Sequence, residues 1–112
     1  MITIDTLKDF GADVQDGVAR CLNKEDFYLK MVNMGMNDAH FDALGKALQE
    51  KDFESAFEAA HALKGILGNL ALTPILKPVT EITEHLRAKE DIDYAPLYEE
   101  IQAQHKRLLA LA

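Results

Sequence analysis

His61, Lys64, Gly65 and Gly68 are the residues of this 112-residue chain whose types and spacing could do chemistry. They lie in Ala60-His61-Ala62-Leu63-Lys64-Gly65-Ile66-Leu67-Gly68-Asn69-Leu70, the middle of an apolar helical stretch. Helix positions i+3 and i+4 sit one turn along on the same surface, so Lys64 and Gly65 neighbour His61. An imidazole is substantially neutral near neutral pH and then offers one ring nitrogen as a nucleophile. A lysine ammonium beside it puts a point positive charge where a phosphoryl group on the ring would carry its oxygens. Glycine inside a helix costs about 0.5–1 kcal/mol relative to alanine, so two on one flank need a reason. Here they strip side-chain bulk from beside the ring and let another protein approach it. The set suits a histidine that accepts a phosphoryl group and passes it on. The plain alternative is an amphipathic surface histidine.

The element that must position these groups is a helix over 53–71. At about 100° per residue, Phe53, Ala56, Ala60, Leu63, Leu67 and Leu70 form one apolar stripe, while Glu58, Ala62 and Asn69 point away. His61 falls on the shoulder, with Phe57 and Glu54 one turn below and Lys64, Gly65 and Gly68 above. Asp52, after the Lys51-Asp52 turn, is the expected N-cap. The spacing predicts three more long helices: 38–50 with Phe41, Leu44 and Leu48 inward, 74–89 with Ile75, Val79, Ile82 and Leu86, and 94–110 with Leu97, Ile101, Leu108 and Leu111. Thr73-Pro74 reads as N-cap and first helical residue, and Asp93 as the last N-cap. Upstream, 4–21 reads as one or two short helices, followed by a helix of 24–34 capped by Asn23 and ended by Gly35. No stretch beyond the first four residues alternates with period two. Four amphipathic helices joined by short loops predict an all-α domain spanning 1–112. Its expected form is an antiparallel up-down four-helix bundle with short N-terminal covering helices.

Composition narrows the function. A net charge of −7 with pI near 4.9 argues against general nucleic-acid binding and against anionic membrane surfaces. Phosphate chemistry must therefore rest on local cations. The single Cys21 cannot close an internal disulfide, which fits a reducing, cytoplasmic setting, and it reads as a packed thiol. Neither a signal peptide nor a membrane span is expected. His40, His85 and His105 have no partner at metal-ligand spacing, and there is no phosphate-binding loop or nucleophile elbow. No metal site and no bound cofactor are expected.

His61-Ala62-Leu63-Lys64-Gly65, preceded by Ala60 and followed by Asn69-Leu70, resembles the signature of histidine-containing phosphotransfer (HPt) domains, carriers in two-component phosphorelays. The resemblance covers most of the chain. It implies that His61 is the phosphoacceptor through Nε2, that Lys64 supports the phosphoryl group, and that Gly65 keeps the site open, with Gly68 where the family often has a small residue. It also implies an imidazole-orienting side chain on the next helix, where Thr83 falls and Glu84 adjoins, and a second phosphate-side charge at Arg87. Ile66 and Ala71 depart from the family pattern, which often has Ser or Ala at the first and Gly at the second.

The expected function is a phosphorelay intermediate that exchanges a phosphoryl group between His61 and a receiver aspartate of a response regulator. It is not an enzyme and has no ATP site. Its expected partners are a receiver domain, which brings Mg²⁺, and a sensor kinase. No nucleic acid or membrane is expected, and the chain is expected to be a monomer. Gly65, Gly68 and Phe57 form the expected docking surface. Two other readings are a non-phosphorylated interaction module and a phosphoacceptor domain cut from a larger sensor or chemotaxis kinase.

Overall fold

The computed structural model describes residues 1–112 and is all-helical, without a strand. Seven helices follow in order: α1 Ile4–Phe10, α2 Val14–Arg20, α3 Glu25–Met36, α4 His40–Gln49, α5 Phe53–Asn69, α6 Thr73–Arg87 and α7 Ala95–Leu109. None is long and apolar enough to cross a membrane. α5 packs against α4 and α6, and α6 packs against α7. α7 reaches back to α4, where His105 stacks on Phe41 with ring centroids 3.7 Å apart.

Each long helix turns its period-3.6 stripe inward. Leu44, Leu63, Leu67, Ile75, Val79, Ile82, Ile101 and Leu108 are buried in one continuous core. α5 starts where Lys51 takes a left-handed turn (φ 57°) and Asp52 caps. The Asp52 carboxylate accepts from the Ser55 backbone N–H at 3.2 Å and from its hydroxyl at 2.7 Å. Those two bonds hold the Asp52 carboxyl below its usual range, the hydroxyl contributing most.

The other end of α5 is tied down by the N-terminal helices. A helix leaves its last carbonyls without intrahelical donors. The natural donor to the Leu70 carbonyl would be residue 74, which is a proline and has no N–H. The buried Tyr28 hydroxyl of α3 donates there instead, at 2.8 Å. The backbone N–H of Asp13, the N-cap of α2, donates to the Ala71 carbonyl at 2.9 Å. α7 fastens the same region from its far end. Arg107 lies over the Phe10 ring, 4.9 Å from its centroid, and the His105 ring N–H donates to the Met36 carbonyl at 2.7 Å.

Several boundaries differ from the sequence expectation. Gly35 does not end α3, which runs on to Met36; Gly35 is buried against α5, and a Cβ there would lie 2.8 Å from a Leu70 methyl. Asn23 is not the cap of α3. It occupies a left-handed turn (φ 58°), and Lys24 holds the cap position without a side-chain bond. α6 begins one residue early, at Thr73 with Leu72 as its cap, because Ala71 rather than Thr73 makes the turn (φ 54°). α7 begins at Ala95 with Tyr94 as its cap, while Asp93 accepts from the Ala95 N–H at 3.0 Å. Phe53, assigned inward, is 44% exposed and tilts against Tyr94 at 5.5 Å. It is the first residue of α5, where the stripe has run past the end of the core.

Candidate functional site

α5 turns Ala56, Ala59, Ala60, Leu63 and Leu67 into the core and leaves His61 exposed on its shoulder. The imidazole stacks on the half-buried Phe57 one turn below, with centroids 5.6 Å apart and planes 9° from parallel. His40 and His85 use a ring nitrogen on Asp38 and Glu90, and His105 uses one on the Met36 carbonyl. His61 alone of the four histidines has neither ring nitrogen hydrogen-bonded within the protein. Its ring is stacked on Phe57, and both of its nitrogens are free of protein partners.

The flank above the ring is open. A Cβ built at Gly65 would meet nothing within 4 Å, and one at Gly68 would only touch a Leu76 methyl at 3.9 Å. His61, Lys64, Gly65 and Gly68 line a groove of about 710 Å³. Its opposite wall includes Asp13, Asp16 and Arg20 of α2. Arg20 is held along its own helix by Asp16, Nε to carboxylate 3.0 Å. These α2 groups went unnoticed in the sequence. They lie more than forty residues upstream and reach His61 only through the docking of α2 at the end of α5, for which no local pattern exists. Below Phe57, an apolar groove of about 870 Å³ is lined by Phe53, Phe57, Leu86 and Tyr94, with Arg87 at its edge.

Charge is organised across α5 and α6. Lys64 Nζ donates to one oxygen of Glu84 and Arg87 Nε to the other, both at 3.3 Å. The Arg87 guanidinium also lies over Phe57, 5.1 Å from the ring centroid. Phe57 and His61 of α5, Arg87 and Glu84 of α6, and Lys64 therefore form one connected surface cluster. Glu84 is held below its usual carboxylate range, chiefly by the hydrogen bond from Lys64 and further by the positive charge of Arg87.

Two expected roles move. Thr83 does not face the ring. It lies at i+4 from Val79 and i+8 from Ile75, on the buried stripe of α6, and is fully buried. Its hydroxyl donates to the Val79 carbonyl at 2.6 Å. Glu84 is on the exposed side, as an orienter would be, but both of its oxygens serve Lys64 and Arg87 and neither serves His61. No three His, Cys, Asp or Glu side chains converge as a metal site would require.

An exposed, unbonded imidazole with a neighbouring ammonium and an open flank can act as a nucleophile toward a group carried in by another molecule. A family model described as Hpt domain matches residues 34–111, most of the chain and all of the helices that hold this cluster. No curated protein and no solved structure matches the chain.

Proposed function

The chain belongs to the Hpt domain family, and on that premise we propose that His61 is its phosphoacceptor, exchanging a phosphoryl group with a receiver-domain aspartate. Hpt domains are phosphocarriers rather than kinases and work with receiver and kinase domains in two-component signalling. The observation that carries the assignment to His61 is its setting: exposed, free of protein hydrogen bonds, beside Lys64, and flanked by a Gly65 with empty space where a side chain would be.

The transfer balances simply. The lone pair of a ring nitrogen, Nε2 by family resemblance, attacks phosphorus as the bond from phosphorus to the aspartyl oxygen breaks. The carboxylate leaves, and the other ring nitrogen keeps its proton until water takes it. For return transfer that nitrogen takes a proton back from water, and breaking the phosphorus–nitrogen bond then regenerates the neutral imidazole. Stacking on Phe57 fixes the ring plane, so this chain's share of catalysis is proximity and orientation. Lys64 and Arg87 supply positive charge against the phosphoryl oxygens. The receiver brings Mg²⁺, and this chain holds no cofactor or ATP of its own. In this reading α4 to α7 are the antiparallel four-helix bundle of one domain spanning 1–112, α1 to α3 cover its end, and the protein is a cytoplasmic monomer. Gly65, Gly68 and Phe57 form the docking surface.

Incubation with a phosphorylated receiver or an active sensor kinase tests this. Wild type should acquire acid-labile, alkali-stable label, and His61→Gln should acquire none. Label retained by His61→Gln, or wild type left unlabelled by every receiver and kinase of its host, would overturn the assignment.

A further inference from the structure

Glu84 occupies a place that the phosphotransfer reaction does not itself require. Phe57 meets Arg87, while Lys64 further along α5 meets Glu84 earlier on α6. The two helices therefore run antiparallel, and His61 lies between Phe57 and Lys64 on the α5 side of this contact, its ring stacked on Phe57. Two cations of this cluster, Lys64 on the helix of His61 and Arg87 over the Phe57 ring, both end on the same carboxylate, at 3.3 Å each. A doubly bonded anion between two cations beside an imidazole is what a phosphoryl group on that ring would be.

We propose that Glu84 is a competing anion built into the site: it holds Lys64 and Arg87 in place while His61 is bare and contests them once His61 is phosphorylated. This rests on His61 as phosphoacceptor. The consequence is a carrier that binds its cargo loosely. A phosphoryl group gains little from two cations already satisfied by a carboxylate, and it also feels that carboxylate's repulsion. Both effects favour passing the group on over retaining it. All three side chains are substantially exposed, so solvent screens the exchange and each pair is weak enough to be traded. Glu84 is thus a positioning residue for the cations and a counterweight to the phosphoryl group, and it does not touch the reacting atoms.

Phosphoramidate makes the test independent of any partner. The ring nitrogen displaces ammonia from phosphorus, one phosphorus–nitrogen bond replacing another, and phosphorus NMR then follows protonation of the free ring nitrogen of the phosphohistidine, which falls near neutral pH where the label survives. In Glu84→Gln both cations turn to the phosphoryl group, and the proton affinity of the phosphohistidine ring falls by about threefold relative to wild type. Glu84→Asp, which keeps the charge, should restore the wild-type value in part. In a Lys64→Met, Arg87→Gln background the effect of Glu84→Gln should shrink. An unchanged proton affinity in Glu84→Gln, or an effect of full size without the two cations, would overturn competition as the mechanism. A carboxylate that merely orients the imidazole would lower the ring's proton affinity by the same amount whether or not the two cations are present. Absence of label on wild-type His61 would instead sink the functional reading beneath the proposal, and phosphorus NMR separates the two failures.

Discussion

Gly17 and Gly65 both sit inside helices, and their surroundings are opposite. A Cβ on Gly17 would lie 2.4 Å from the Tyr28 ring and 2.9 Å from the Leu70 carbonyl oxygen. A Cβ on Gly65 would meet nothing within 4 Å. Between them runs the last part of α5. At its end, glycine lets α2, α3 and α5 close tightly enough for Tyr28 to reach an orphaned carbonyl. On its flank, glycine keeps a surface empty beside His61. The same loss of helix propensity serves packing in one region and access in the other. A side chain is excluded at Gly17 by the fold, and at Gly65 nothing in the chain itself excludes one.

The largest expected effect tests the tight region. Gly17→Ala forces a methyl into the Tyr28 ring and should cost about 2–3 kcal/mol in denaturant unfolding, the upper part of the range for overpacking a core. Helix propensity alone pushes the other way, so a neutral or stabilising result would mean that α2 is not held against α5 as tightly as the geometry implies.

The next effect comes from the hydroxyl that Gly17 makes room for. Tyr28→Phe keeps the ring and leaves the Leu70 carbonyl without its donor, which should cost about 1–2 kcal/mol. Burial first, and then the charges of Cys21, Asp13 and Asp16, push the Tyr28 phenol from its ordinary 10.0 up to about 12. The folded state binds the phenolic proton more tightly than the unfolded chain. This contribution is therefore complete below about pH 10 and is lost as pH rises from about 10 toward 12. Chemical denaturation of wild type and Tyr28→Phe across that range should show the gap between them closing as pH rises. A gap of constant size would detach the Tyr28 proton from stability.

The two regions were not equally legible in the sequence. The open flank was: His61, Lys64, Gly65 and Gly68 are at i+3, i+4 and i+7 on one helix, and helical geometry alone brings them together. The stripes of α4 to α7 were legible for the same reason. The tight end was not. Tyr28 and Leu70 are 42 residues apart, and the missing N–H of Pro74 signals only that some donor must come, not which. The boundary errors at Gly35 and Thr73 share this origin, since a tertiary contact at Leu70 and a left-handed Ala71 overrode local stop and start signals. Thr83 shows the limit of counting along a helix: a position one residue from Glu84 is turned about 100° away, into the core. The spacing of Thr83 from Val79 already marked it as inward, whereas the engagement of Glu84 with Lys64 and Arg87 rather than His61 depends on how α6 sits against α5, which neither helix encodes alone.

The smallest change in stability carries the sharpest test of the comparison. Gly65→Ala adds a methyl where there is space and where alanine is the better helix former, so the protein should become more stable by about 0.5–1 kcal/mol. Phosphoramidate, a reagent of a few atoms, should still label His61 at the wild-type rate, because the ring and its stacking on Phe57 are untouched. Transfer from a phosphorylated receiver should fall by about tenfold, since a methyl beside the ring displaces a closely docked protein from in-line geometry. Gain of stability together with loss of transfer is a combination that no packing defect produces. If Gly65→Ala loses stability, the flank is not open and Gly65 belongs with Gly17. If it gains stability and transfers normally, the receiver approaches His61 from another side, with the apolar groove below Phe57 as the face to mutate next.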